Sequence, residues 1–161
     1  MTPDPRPLTP DLDERWMQVA LQEAALAAEE GEVPVGAVVI HAGRIIGRGH
    51  NRTEALQDPT AHAEILALSA AATYLHNWRL TGAVIYVTVE PCLMCTGALV
   101  LARVKRIVFG ASDEKLGACG SVYDIPWDGR LNHKLETTPG MLARESTRLL
   151  RAFFLRQRRK P

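Results

Sequence analysis

Two short segments with 26 residues between them constrain this chain more than any other feature: His62-Ala63-Glu64 and Pro91-Cys92-Leu93-Met94-Cys95. Two thiolates and an imidazole make three zinc ligands. If they share one ion, the chain must fold so that residue 62 meets residues 92 and 95. Each motif also stands where a helix is expected to begin. Cysteines at i and i+3 lie on one helical face, and the partial positive charge and free N–H groups of a helix N-terminus favour the metal-binding thiolate. The pattern is therefore compatible with a fold in which two helix N-termini converge on one ion.

The number of ligands separates two kinds of site. A structural zinc takes four protein ligands, whereas a catalytic zinc takes three and leaves a position open. No fourth ligand is evident here. Cys119 lies in a separate stretch between Gly117 and Gly120 and reads as a small buried apolar side chain, and His41, His50, His76 and His133 have no spacing that recruits them. Glu64, two residues beyond His62, points elsewhere on a regular helix, so it is read as a proton shuttle between water and a substrate nitrogen rather than as a ligand. A lone C-x-x-C is often a redox pair or half a structural zinc site, and a lone His-x-Glu says little. Their combination, with Pro91 before the first cysteine, favours an open metal site.

The flanking pattern is that of a layered α/β chain. Pro3, Pro5 and Pro7 mark residues 1–8 as an extended, mobile lead-in, and residues 9–161 are expected to form a single domain. Thr9 and Pro10, followed by Asp11, Asp13 and Glu14, read as a cap, a first-turn proline and acids at the positive end of a helix dipole; Gly31 ends that helix. Val33 to Ile40, His41-Ala42-Gly43-Arg44 and Ile45-Ile46 read as a hairpin. Asp58-Pro59 is expected to open a second helix running to about Tyr74, and Cys92 a third to about Ala102. Residues 83–89 and Lys105 to Gly110 are strand candidates, with a further short strand near His133 to Glu136. A last helix is expected from about Pro139 to Arg159. Strands alternating with helices imply parallel pairing wherever a helix crosses over.

The 19 basic and 18 acidic residues nearly cancel, but they are not evenly spread. Residues 141–161 hold seven basic groups and one acid, +6, which leaves 12 basic and 17 acidic groups, −5, for the first 140. A cationic tail on an acidic body is compatible with RNA, above all because Phe153 and Phe154 sit beside Arg156, Arg158 and Arg159 in a pairing suited to stacking and phosphate attraction. Phe153 also has a reading as a core residue, and those arginines complement a helix C-terminus, so packing and solvation remain alternatives for this pairing. Three cysteines, an odd count, argue against a disulfide framework. The first residues lack the apolar stretch of an export signal, and no run approaches the roughly 20 apolar residues of a membrane span, so a cytoplasmic location without membrane association is expected.

The two motifs form the H-x-E…P-C-x-x-C pattern of zinc nucleobase deaminases. With Pro34-Val35-Gly36-Ala37-Val38, Gly49-His50-Asn51-Arg52, Asp58-Pro59-Thr60-Ala61, Val108-Phe109-Gly110-Ala111 and Asn132-His133, the chain resembles the bacterial tRNA-specific adenosine deaminases of the zinc-dependent cytidine-deaminase-like superfamily over about residues 12 to 158. The resemblance implies a three-layer cytidine-deaminase-like fold, a mixed central sheet flanked by helices. It also implies a homodimer with one zinc per subunit that hydrolytically converts the wobble adenosine of a tRNA anticodon stem-loop to inosine. By matching position, His62, Cys92 and Cys95 would hold zinc and Glu64 would shuttle protons. Asn51, Ala63, Asp113, Lys115, Asn132, Phe154 and Arg156 would contact the substrate. Ser112 stands where a basic residue is common in that family, and Pro126-Trp127-Asp128-Gly129 replaces a more histidine-rich loop. Two other readings stay open: a deaminase of a free nucleobase or nucleotide of guanine or cytosine type, favoured if the final segment closes the pocket, and a zinc-containing RNA-binding module without catalysis.

Overall fold

The computed structural model describes residues 10–161; the expected lead-in over 1–8 and the cap at Thr9 lie outside the described residues. Helix α1 (Pro10–Glu29) turns Trp16, Met17, Ala20, Ala24 and Ala27 inward at spacings of one, three and four. It stops at Gly31, whose φ of +78° ends the helix as expected. Strands β1 (Gly36–His41) and β2 (Arg44–His50) form the hairpin, joined by Ala42 and Gly43. Both turn residues have positive φ, the requirement of a two-residue turn that matches strand twist.

After the short α2 (Thr53–Leu56) come α3 (Ala63–Leu75), β3 (Val84–Val89), α4 (Leu93–Leu101), β4 (Arg106–Ala111), a single 3-10 turn at Ile125–Trp127, β5 (Glu136–Thr138) and α5 (Ala143–Arg158). The sheet order is β2-β1-β3-β4-β5. Strand β1 runs antiparallel to β2 and β3, while β3, β4 and β5 run parallel, so the sheet is mixed. This is the expected α/β architecture. Helix α4 is the crossover between parallel neighbours β3 and β4, which explains why a helix had to separate them.

Alternation along the strands divides the core into two faces. Ala37, Val39, Ile85, Val87, Ile107 and Phe109 pack beneath α3 and α4. Val38, Ile40, Val84, Tyr86 and Val108 face α1, with Met141 and Leu142 leading into α5. Helices thus cover both faces, giving three layers. Gly49 fixes the height of α3 over the sheet: a Cβ there would stand 2.4 Å from the carbonyl oxygen of Ala63. That contact lies at the first residue of α3, beside His62.

Asp13 does more than sit at a positive helix end. It is buried, accepts two hydrogen bonds from the Arg106 guanidinium at 2.7 and 3.0 Å and one from the Tyr86 hydroxyl at 2.7 Å, and so ties α1 to β3 and β4. Arg106 also donates to the Thr138 hydroxyl of β5. A buried charge is tolerated only with such partners.

Three boundaries differ from the expectation. Helix α3 starts at Ala63, not at Asp58, because the Asp58 carboxylate accepts bonds from the amide and hydroxyl of Thr60 and closes a local turn instead of a helix cap. The last strand lies at Glu136–Thr138 rather than near His133 to Glu136: the His133 ring bonds the Val104 carbonyl oxygen, and pairing begins at Glu136. Helix α5 begins at Ala143, since Gly140 and Leu142 are both left-handed and interrupt the path from Pro139.

Candidate active site

His62 and Cys92 are the N-cap residues of α3 and α4, and neither uses its side chain to cap its helix. Both backbones are extended there, with ψ of 154° and 176°, so each helix begins immediately after its ligand residue. The imidazole and the thiol are left free to face one another. Cys95 follows in the first turn of α4 and is fully buried.

The two helix starts converge. His62 Nδ1 stands 3.6 Å from Cys92 Sγ and 3.4 Å from Cys95 Sγ. All three ligand atoms lie within 4.8 Å of one another. Ligands bound to one tetrahedral zinc at ordinary Zn–S and Zn–N lengths stand about 3.6 Å apart, so this donor set fits the ion. Among the described residues no other group of three or more such side chains comes together this way. Protonation follows the geometry: hydrogen bonding from Cys95, then from His62, pulls the Cys92 thiol down to about 4. The Cys95 thiol is pushed up by its bond to Cys92 and by burial, and His62 is raised chiefly by its bond to Cys92.

Glu64 lies in the first turn of α3, 4% exposed, next to this cluster. Burial pushes its carboxyl up to about 7, against the opposing pull of its own backbone amide and of His62. A carboxyl poised near neutrality can both take and return a proton.

His62, Glu64 and Cys92 open onto a cavity of about 310 Å³ whose other walls include Asn51, Ala63, Glu90, Asp113 and Leu116. That is the lower end of the range for small-ligand sites. Asn51 directly follows β2 and is 8% exposed, and its Oδ1 is buried with no protein hydrogen-bond partner. An unsatisfied buried acceptor is costly, and a donor entering the cavity would satisfy it.

Three of the expected contact residues, Asn51, Ala63 and Asp113, therefore line the cavity with Glu64, His62 and Cys92. Lys115 and Phe154 instead line a separate groove together with Arg151 and Arg158 of α5. Arg156 is exposed but absent from that groove, and Asn132 lines neither: its Oδ1 accepts a bond from Arg103 at 3.3 Å. Helical spacing explains Arg156, because residues 147, 150, 151, 154, 155 and 158 share one face and 156 falls outside it. Sequence reasoning missed Glu90. A single acid between the apolar run ending at Val89 and the Pro91-Cys92 motif is the available signal, and in the sequence Glu90-Pro91 marks only the break between that run and the next helix. Burial works to raise the Glu90 carboxyl, but bonds from the Ser121 hydroxyl and from the amides of Asp113, Cys119 and Ser121 hold it below the usual carboxylate range. Cys119 is buried and linked to the Thr96 hydroxyl, outside the ligand group, as expected for a packing residue.

A family model described as MafB19-like deaminase matches residues 12–158. The chain belongs to this deaminase family. It is 47% identical over 148 residues to a tRNA-specific adenosine deaminase of Bacillus subtilis (strain 168), covering 92% of each chain. A tRNA-specific adenosine deaminase of Haemophilus influenzae (strain ATCC 51907 / DSM 11121 / KW20 / Rd) is 48% identical over 149 residues, covering 92% of this chain and 86% of the relative. Among solved structures, one described for A-to-I editing by tRNA:A34 deaminases at the wobble position superposes with a TM-score of 0.82 at 43% identity, covering 84% of this deaminase and 99% of the other chain. The resemblance seen in the motifs and the three-layer architecture of this deaminase are thus both borne out. The orphaned acceptor generates a specific expectation: Asn51→Ala should leave the thermal midpoint unchanged or raised, while raising KM roughly tenfold, the usual scale of one lost buried hydrogen bond. A lowered midpoint with unchanged KM would show that Asn51 serves the fold instead.

Proposed function

We propose that this deaminase hydrolyses the wobble adenosine of a tRNA anticodon to inosine, with one zinc per subunit. The observation that carries the reading is the placement of a buried proton-carrying carboxyl, Glu64, beside a three-ligand metal group at the floor of a cavity that also presents an unpaired acceptor. The kinship with tRNA adenosine deaminases names the substrate.

His62, Cys92 and Cys95 would hold the ion. Zinc bound there supplies Lewis acidity that makes water a nucleophile near neutral pH. The base enters with its N6 amino group toward Asn51 Oδ1, which gains the donor it lacks. Glu64 takes a proton as water oxygen bonds to C6 and passes it to N1, then carries the second proton from that oxygen to N6, so that the C6–N6 bond breaks, ammonia leaves and C6 becomes the carbonyl of inosine. Ala63, which has no side chain beyond Cβ, leaves room for the ring against the start of α3. Asp113 forms part of the cavity wall.

No described residue of α5 lines this cavity itself; Phe153 and Gln157 of α5, with Lys160, line an adjoining pocket that shares Val33, Asn51 and Thr53 with it. The groove holding Lys115, Arg151, Phe154 and Arg158 offers three cations and an aromatic ring for the adjoining anticodon stem-loop. Arg156 and Asn132, outside this groove, are assigned peripheral contacts at most.

A homodimer is supported by the exposed apolar face of α4, where Leu93, Met94 and Leu101 meet solvent, and by Trp127 of the neighbouring 3-10 turn, which is 80% exposed. Residues 9–161 act as one deaminase domain in this reading. The cytoplasm, where tRNA is available, is its site of action. No described helix is long and apolar enough to cross a membrane.

Glu64→Gln should retain stoichiometric zinc and lose inosine formation by at least about 100-fold, the lower end of a general acid–base contribution; retained activity would remove Glu64 from the proposed chemistry. Charge reversal at Arg151 and Arg158 should weaken tRNA binding and flatten its dependence on salt, with a smaller effect at Arg156. Equal effects at all three positions would indicate diffuse attraction rather than the groove.

A further inference from the structure

Glu90 lines the catalytic cavity and immediately precedes the Pro91-Cys92 pair, yet all of its acceptor capacity is already taken. Its Oε1 accepts from the amide of Asp113 at 3.1 Å and from the hydroxyl of Ser121. Its Oε2 accepts from the amides of Cys119 at 3.0 Å and Ser121 at 3.2 Å. An ionised carboxylate offers about four lone-pair directions, and here four donors from one loop fill them. Glu90 as a residue is 3% exposed. Glu64 and Glu90 therefore share a cavity but not a role: the second has nothing left to offer a substrate.

The loop that supplies those donors is residues 113–121, which follows β4. Its apolar anchorage is confined to Ala118 and Cys119, which are buried, while Glu114, Lys115, Leu116, Gly120 and Ser121 are exposed. The rest of the loop is organised around carboxylates. Asp113 Oδ1 accepts from the amides of Lys115 and Leu116, and the Asp113 carbonyl oxygen accepts from the amide of Gly117. The Ala118 amide bonds the Pro91 carbonyl oxygen at 2.9 Å, and Gly117 forms a bridge pair with Cys92. Gly117 is itself dictated by Glu90, because a Cβ there would stand 2.4 Å from the Glu90 carboxylate.

We infer that Glu90 is a positioning residue: it templates the 113–121 loop so that Asp113 and Leu116 already stand as the cavity wall before substrate enters. The same loop carries Lys115 into the basic groove, so one buried carboxylate sets both the wall of the base pocket and one cation of the outer groove. Ordering a wall in advance removes a cost that binding would otherwise bear, so the role appears in KM. Its kinetic readout rests on the tRNA deaminase reading; its structural readout does not.

The test compares the full-length, zinc-loaded protein with its Glu90→Gln variant. Glutamine keeps the shape but turns one acceptor into an N–H₂ group facing N–H or O–H donors. Zinc content should be retained. Amide hydrogen exchange at Asp113, Cys119 and Ser121 should speed up about tenfold or more, with exchange in β1 and β3 unchanged. On a tRNA with wobble adenosine, KM should rise by a similar factor and carry most of the loss in kcat/KM. Unchanged exchange at those three amides would overturn the inference, and so would faster exchange with unchanged KM, or a loss borne by kcat alone. Should the variant fail to fold, Ser121→Ala, which deletes only the hydroxyl donor, should reproduce the faster exchange and a smaller rise in KM; its absence would overturn the inference equally. If the wild-type protein itself leaves the tRNA unchanged, the proposed substrate fails, while the exchange arm still decides the anchoring by Glu90.

Discussion

The meeting of two helix N-termini at His62, Cys92 and Cys95 is the contact on which the rest of the molecule depends. Each helix gives up the ordinary means of satisfying its first amides, since neither N-cap side chain bonds back to its own helix. What is gained is a group of three side chains carried on rigid backbone, with His62 Nδ1 3.6 Å from Cys92 Sγ and 3.4 Å from Cys95 Sγ. Everything that sets the position of α3 and α4 over the sheet therefore sets the site. Gly49 lets the start of α3 approach β2, and the parallel pairing of β3 with β4 forces α4 to cross over and begin beside it.

Around this point the fold places two carboxylates in opposite environments. Glu64 is enclosed with few bonds and is raised toward neutrality, whereas Glu90 is enclosed with four donors and is held ionised. Burial alone does not decide what a carboxyl does; the number of donors it meets does. The same reasoning applies to Asn51, whose buried oxygen lacks a donor and is thereby left for a ligand, while Asp13, equally buried, is fully engaged by Arg106 and Tyr86 and serves the fold.

What could be read from the amino-acid pattern was whatever local spacing or a recognisable motif determines. The His62, Cys92 and Cys95 group with Glu64 beside it was legible from residue types at helix starts, and the β-branched run at 83–89 and the strand candidate at 105–110, with a helix between them, announced the central parallel pair. Features made by distant residues were hidden. Asp13 looked like a dipole complement because its partner lies 93 positions away. Glu90 looked like no more than the break between a strand and a helix because its donors come from a loop more than twenty residues on. Arg156 was grouped with the basic tail because the sequence shows charge but not which face of α5 meets Lys115. Asp58 misplaced a helix start because a turn of its own competed for its carboxylate.

The central claim is that this site performs hydrolysis on an adenine held within a tRNA loop. Its most direct test is the reaction in ¹⁸O-labelled water with a tRNA bearing adenosine at the wobble position, in competition with free adenosine, cytidine and guanine. The account predicts inosine at that position carrying ¹⁸O at C6, with ammonia released in equal amount and the free compounds left unchanged. Deamination of a free base or nucleoside while the tRNA adenosine persists would contradict it.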